Sequence, residues 1–206
     1  MTIPAGDTAP TRYDATTALI VVDVQNDFAD PAGSLAVKGG EAIIGAINVE
    51  IGAAKAAGAL IVYTQDWHPA TTPHFARDGG VWPVHCVRDT WGAALHPNLL
   101  YLHPGGQVVR KGVHGEDGYS GFSVKDPKSG QQSATELGAI LRKAGIARLV
   151  ICGLATDYCV KATALDGAKL GYPTRVLRDA IRAVNLNKGD SAKAIAEMRA
   201  AGVKIV

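Results

Sequence analysis

Six short runs of apolar, largely β-branched residues constrain this chain more than any other feature. They fall at residues 18–24 (ALIVVDV), 59–64 (ALIVYT), 107–110 (QVVR), 148–152 (RLVIC), 174–177 (TRVL) and 203–206 (VKIV). Runs that are nearly continuous, rather than alternating, fit strands buried on both faces, as in a parallel sheet. Helical spacing lies between most of them. Ile44, Ile47, Ile51 and Ala54 share one face before Gly58, and Leu137, Ile140, Leu141 and Ala144 share another before Gly145. Ser133 with Glu136 three residues later reads as a capping box opening that second helix. Two more helices are expected over residues 160–170, stopped by Gly171 and Pro173, and over 191–201, stopped by Gly202. Strand and helix alternate, which predicts an α/β fold: a doubly wound, mainly parallel six-stranded sheet with helices on both faces. The chain reads as one domain over residues 1–206, with residues 1–17 as an N-terminal arm and no internal repeat.

Composition narrows the function classes. A chain of 206 residues can bury about 70% of its unfolded surface, enough for a core without staples. Apolar residues at 47% and charged residues at 19% exclude wholesale disorder. A net charge of +2 without a long basic run gives phosphate backbones nothing to bind, so nucleic acid is not an expected partner. No apolar run reaches the ~18 residues of a membrane span, and residues 1–13 do not read as a signal peptide. Cys86, Cys152 and Cys159 make an odd set that is no disulfide framework. A reducing cytoplasm fits, with one of the three cysteines reactive.

In open parallel sheets, ligands bind beyond the carboxyl ends of the strands. Asp23 follows the first run, Asp66 and His68 the second, Lys111 the third, and Cys159 the fourth after a short turn. A purely structural sheet has no need to gather that set at one edge. Cys159 ends the motif Gly-Leu-Ala-Thr-Asp-Tyr-Cys, where the chain passes from strand to helix. Thr156 or Asp157 suits a helix cap. A cysteine in a first helical turn feels the positive end of the dipole, which favours thiolate, and backbone N–H groups there can face an oxyanion. Cys159 therefore reads as a nucleophile. Cys152, inside an apolar run, reads as a small buried hydrophobe. Asp23 can take the thiol proton and return it to a leaving group, while Lys111 stabilises both anions.

The histidines cluster. Asp66-x-His68-x5-His74-x10-His85 offers one carboxylate and three imidazoles, a donor set suited to Zn²⁺, Fe²⁺ or Mn²⁺. Cys86 beside His85 reads as a packing residue rather than a fifth ligand. His96, His103 and His114 read as ordinary surface residues. Two segments break the alternation, residues 68–103 and 111–132. Long irregular segments of this kind are commonly functional; whether they act as lids stays open.

These residues carry a resemblance. Asp23-Val-Gln-Asn-Asp-Phe28, Gly33-Ser-Leu35, Asp66-Trp-His68-Pro, His74-Phe, Trp82-Pro-Val-His85-Cys86, Lys111-Gly112, Tyr119-Ser-Gly-Phe122 and Gly153-Leu-Ala-Thr-Asp-Tyr-Cys159-Val together resemble the nicotinamidase branch of the isochorismatase-like cysteine hydrolases. The match runs from about Ala18 to Val206. The resemblance implies a triad of Asp23, Lys111 and Cys159. It implies one divalent metal, zinc foremost with iron or manganese as alternatives, on Asp66, His68, His74 and His85. It further implies a cis peptide entering Ala155, an oxyanion hole from the amides of Ala155 and Cys159, and a ring-binding pocket built from Phe28, Leu35, Trp82, Tyr119 and Tyr158. The segment Asp30-Pro31-Ala32, residues 89–103 and the insertion-like 115–117 depart from the family pattern near the pocket mouth. The implied reaction is hydrolysis of nicotinamide to nicotinate and ammonia through a cysteine thioester, with pyrazinamide as an alternative substrate. Two rivals remain open: a cysteine hydrolase of another small amide or carbamoyl compound, and a non-catalytic ligand-binding relative. The expected partner is a small-molecule amide, without nucleic acid or membrane; homo-oligomerisation stays open.

Overall fold

The computed structural model describes residues 13–101 and 106–206. Of the expected arm, residues 1–12 lie outside the described residues, as does His103. Tyr13 is buried, and the Asp14 carboxylate accepts hydrogen bonds from Thr16 and Thr17 at the threshold of the first strand.

Six strands form one sheet: β1 (Thr17–Val22), β2 (Leu60–Asp66), β3 (Gly106–Lys111), β6 (Arg148–Leu154), β7 (Thr174–Arg182) and β8 (Lys204–Ile205). Their order is β3-β2-β1-β6-β7-β8, and every pairing is parallel. The sheet is doubly wound. Side chains alternate across a strand, so Leu19 and Val21 of β1 face one core while Ala18, Ile20 and Val22 face the other. The first core is closed by the short helix α1 (Asn26–Ala29) and by α2 (Ile44–Ala56), through Phe28, Ile44, Ile47 and Ile51. The second is closed by α3 (Leu137–Lys143), α4 (Lys161–Lys169) and α5 (Asp190–Ala200), through Leu137, Leu141, Ala164, Ile195 and Met198. Burial on both faces explains why β1 is apolar without alternation.

The remaining strands differ from expectation. β4 (Ser123–Lys125) and β5 (Gln132–Ala134) make a separate antiparallel ribbon inside the stretch read as irregular. Each is three residues long, too short for a periodic signal. The ribbon also displaces the expected capping box. Ser133 pairs with Val124 in extended conformation, and α3 begins only at Leu137, whose N–H is accepted by Thr135 Oγ1 at 3.2 Å.

The long segment after β2 is stitched down rather than loose. The His68 N–H donates to the Cys86 carbonyl at 3.0 Å, and the Arg88 N–H donates back to His68 at 2.8 Å. Asp27 of α1 accepts the N–H groups of Ser34 and Cys86, which ties three loops together. His96 is buried rather than on the surface. Its Nδ1 accepts the Asn98 N–H, and its Nε2 lies 3.7 Å from Asp30 Oδ2. His114 is exposed.

Ile47 sits in the first core with no exposed surface, whereas Val49 on the same helix is 71% exposed. Ile47→Ala is expected to lower unfolding stability by about 2–5 kcal/mol through lost burial and the cavity left behind, while Val49→Ala stays within about 0.5 kcal/mol. Urea unfolding midpoints of the two variants measure the difference.

Candidate active site

The parallel sheet brings all its carboxyl ends to one edge, and the strand order sets four of them side by side. Asp66 and Lys111 are register partners at the ends of β2 and β3. Asp23 follows β1, its neighbour, and β6 follows β1 in turn. There Gly153 pairs with Val22; a Cβ on Gly153 would lie 2.1 Å from the Val22 carbonyl oxygen, and its φ is +113°. Only glycine fits that approach. The next peptide bond, Leu154–Ala155, is cis, and the chain then enters a π-helical turn, Thr156–Val160, which carries Cys159. Neither Thr156 nor Asp157 caps the turn, whose cap position is Ala155. The Asp157 carboxylate instead accepts the N–H groups of Val184 and Asn185 at 2.9 and 2.8 Å, fastening the turn to the end of β7.

Lys111 is fully buried and holds the centre. An ammonium has three donors, and all three are used: Asp23 Oδ2 at 2.8 Å, Asp66 Oδ1 at 2.7 Å and the Gly118 carbonyl. Cys159 Sγ is 3.7 Å from the same nitrogen. Burial acts against the lysine's charge, but the two carboxylates outweigh it and hold its pKa well above the usual value. Burial likewise pushes Asp66 upward, yet the Lys111 ammonium beside it carries it below the ordinary carboxylate range. Asp23 differs. Burial raises it to about 6 despite Lys111, and its Oδ1 accepts the Thr64 hydroxyl at 2.6 Å.

Cys159 is also pushed up, first by burial and further by Asp23 and Asp66, with Lys111 acting the other way. Burial therefore opposes the pull toward thiolate that the start of a helical turn exerts. The turn is a buried π-turn, and its burial favours the protonated thiol.

The metal-type donors converge beside this triad. The nitrogens of His68, His74 and His85 approach within 4.8 Å of one another, and Asp66 Oδ2 lies 4.0 Å from Nε2 of both His68 and His85. His85 Nδ1 bonds the Pro83 carbonyl at 2.7 Å. A carbonyl only accepts, so Nδ1 carries the proton and Nε2 presents a lone pair. Burial holds His68 neutral, with its pKa down to about 3, and neither ring nitrogen has a hydrogen-bond partner among the described residues. A buried imidazole with both nitrogens unpaired is costly unless something else binds it. The donor set of one carboxylate and three imidazoles fits a divalent transition metal. Cys86 points elsewhere, with Sγ 3.9 Å from the Gly92 carbonyl inside the first core.

Cys159, together with Asp66, His74 and His85 of the donor set, lines one small cavity; Asp23, Lys111 and His68 are buried and do not line it. Phe28, Leu35, Trp82, Tyr119 and Tyr158 all line it, together with Ala155 and Cys159. Trp82 Nε1 donates to the Tyr119 hydroxyl at 2.7 Å, and the Trp82 and Tyr158 rings meet edge-on at 4.9 Å. Sequence reasoning missed Gly118 and Val184, which also line the cavity, and Thr64 and Asp117, which hold Asp23 and His74. None of the four lies in a quoted motif. Gln25 does, and it brackets Asp66: it donates to the Asp66 carbonyl at 2.7 Å and accepts the Asp66 N–H at 2.8 Å.

The family model described as Isochorismatase domain matches residues 17–206. A nicotinamidase of Escherichia coli (strain K12) is 40% identical over 204 residues, covering 91% of this chain and 93% of that protein. The pyrazinamidase of Pyrococcus horikoshii, solved in complex with zinc, superposes with a TM-score of 0.82 at 42% identity, covering 93% of this chain and 98% of the other. An L. infantum protein solved in complex with nicotinate gives 0.83 at 37% identity, covering 94% of each chain.

Removing the central cation would leave two buried carboxylates uncompensated. Lys111→Met is expected to destabilise the chelator-stripped protein by about 3–5 kcal/mol, the usual cost of breaking a buried ion pair from one side. Urea unfolding at pH 7 reads this directly, and a loss under about 1 kcal/mol would contradict it.

Proposed function

Since the chain belongs to the isochorismatase domain family, as an amidohydrolase of the nicotinamidase type, we propose that it hydrolyses nicotinamide to nicotinate and ammonia through a thioester on Cys159. The observation that carries this reading is the Cys159 thiol on the wall of a cavity lined by aromatic rings, with a carboxyl group raised to about 6 and a buried ammonium packed behind it. Relatives named nicotinamidase, and a structural neighbour holding nicotinate, support the substrate class.

Asp23 accepts the thiol proton as Cys159 Sγ attacks the amide carbon. A carboxyl group raised to about 6 suits that task, because its affinity for a proton is close to the working pH. Lys111, 3.7 Å from the sulfur, offsets the negative charge that develops there. The amides of Ala155 and Cys159 face the oxyanion of the tetrahedral adduct. Its C–N bond breaks as Asp23 delivers the proton to the departing ammonia. Water then attacks the thioester, again giving its proton to Asp23. The C–S bond breaks, nicotinate leaves, and the thiol is restored. Thr64 keeps Asp23 oriented throughout.

Phe28, Leu35, Trp82, Tyr119 and Tyr158 enclose the pyridine ring. Asp66, His68, His74 and His85 would hold a divalent ion, zinc foremost, which supplies an electrophilic point for the ring nitrogen and so orients the substrate. The zinc found with the P. horikoshii relative supports that choice.

Cys159→Ala is expected to lower ammonia release from nicotinamide by roughly 10⁴-fold or more while the variant stays folded and keeps its metal. Appreciable turnover in that variant would refute the nucleophile. Chelator-treated protein is expected to lose activity and to regain it on addition of Zn²⁺, Fe²⁺ or Mn²⁺. No release from metal-replete protein would retire nicotinamide, and a panel of small amides and carbamoyl compounds would identify the substrate.

A further inference from the structure

One loop touches both halves of the site. Residues 112–118 leave β3 directly after Lys111. Gly112 packs so closely on the His68 ring that a Cβ there would lie 2.5 Å from Cε1. The Gly115 carbonyl accepts the Thr72 hydroxyl at 2.7 Å, and the Gly118 carbonyl accepts one of the three Lys111 donors. Between them, Asp117 Oδ1 lies 2.6 Å from His74 Nδ1. The position of Asp117 is set by backbone. Its N–H donates to the Lys125 carbonyl at 2.8 Å and its carbonyl accepts the Lys125 N–H at 2.9 Å, so the residue rides on the edge of the β4–β5 ribbon.

We infer that Asp117 is a positioning residue of the metal centre, fixing the tautomer and orientation of His74. The inference rests on the four-ligand reading given above. A carboxylate only accepts, so His74 Nδ1 carries the proton and Nε2 is left as an electron-pair donor. The negative charge on the outward nitrogen also strengthens the inward nitrogen as a ligand. The three imidazoles are thereby differentiated. His85 is held by a neutral carbonyl, and the outward nitrogen of His68 has no partner. Of these three imidazoles, His74 alone has a carboxylate hydrogen-bonded to its outward nitrogen among the described residues. His74 also lies outside every strand and helix, so strand geometry does not fix its ring as it does for Asp66. The stretch 115–117, insertion-like in the sequence, thus supplies what the sheet cannot. A rival role is mechanical, with Asp117 merely pinning residues 112–118 to the loop that carries His74.

The test measures zinc affinity by chelator competition on stripped protein, without substrate, so that turnover plays no part. Asp117→Ala is expected to weaken zinc binding by about 10–100-fold. Asp117→Asn is expected to lose less, because an amide oxygen still accepts the ring N–H while the charge is gone. In a His74→Ala background, Asp117→Ala is expected to cost nothing further, since the ligand it acts through is absent. A loss below about threefold in Asp117→Ala, or an undiminished loss in the His74→Ala background, would overturn the inference; the second result would assign Asp117 the mechanical role. Near-UV circular dichroism of the stripped variants checks folding. Should Asp117→Ala not fold, the same two comparisons with Asp117→Asn decide. If the unmodified protein takes up no zinc, the four-ligand reading fails and the inference falls with it; if the protein binds zinc and Asp117→Ala binds it equally well, the inference alone fails.

Discussion

The buried ammonium of Lys111 is the contact on which the site depends. Asp23 and Asp66 lie at the ends of β1 and β2, and both are buried. Two ionised carboxylates so placed would repel each other and pay for desolvation without return. Lys111, at the end of β3, satisfies one oxygen of each, and its third donor goes to Gly118. The same side chain therefore divides two environments. Asp66 is kept ionised with Oδ2 turned toward the imidazoles, while Asp23 faces the thiol and stays proton-hungry. The proposed nucleophile centre and the proposed metal centre share one cation, so neither can be described without the other.

Burial explains the rest of the division of labour. Cys159 is held as a thiol rather than a thiolate, which makes a proton acceptor necessary. Asp23 has the affinity for that part. The apolar and aromatic walls that desolvate these groups are the surfaces proposed to hold the substrate ring, so one enclosure tunes the titrating groups and shapes the pocket. A domain fold of this class needs only packing from its two cores; the polar row at the sheet edge is an addition that packing does not require.

Much of this was legible in the chain. The doubly wound sheet followed from the near-continuous apolar runs, because strands covered on both faces have no solvent side to mark with polar residues. Asp23, Asp66, Lys111 and Cys159 could be gathered at one edge because parallel strands end together. The ribbon of β4 and β5 was illegible, since three-residue strands carry no period, and its formation moved the start of α3 from the expected Ser133 cap to Leu137. His96 was misread as a surface residue because its Pro-rich surroundings look like an open loop; the segment is in fact folded back onto α1 and β1.

The sequence by itself determined the sheet, its two apolar faces and the residue types offered at strand ends, since these depend on local periodicity and on the direction in which parallel strands run. Only the tertiary structure decided which carboxylate is proton-hungry, which imidazole nitrogens turn inward, and which residues stand behind the ligands. Those properties are set by through-space distances of about 2.6–3.7 Å between groups many residues apart, as in Thr64 to Asp23, Asp117 to His74 and Lys111 to Cys159. Electrostatic and hydrogen-bond energies change steeply over such distances, and no spacing along the chain encodes them.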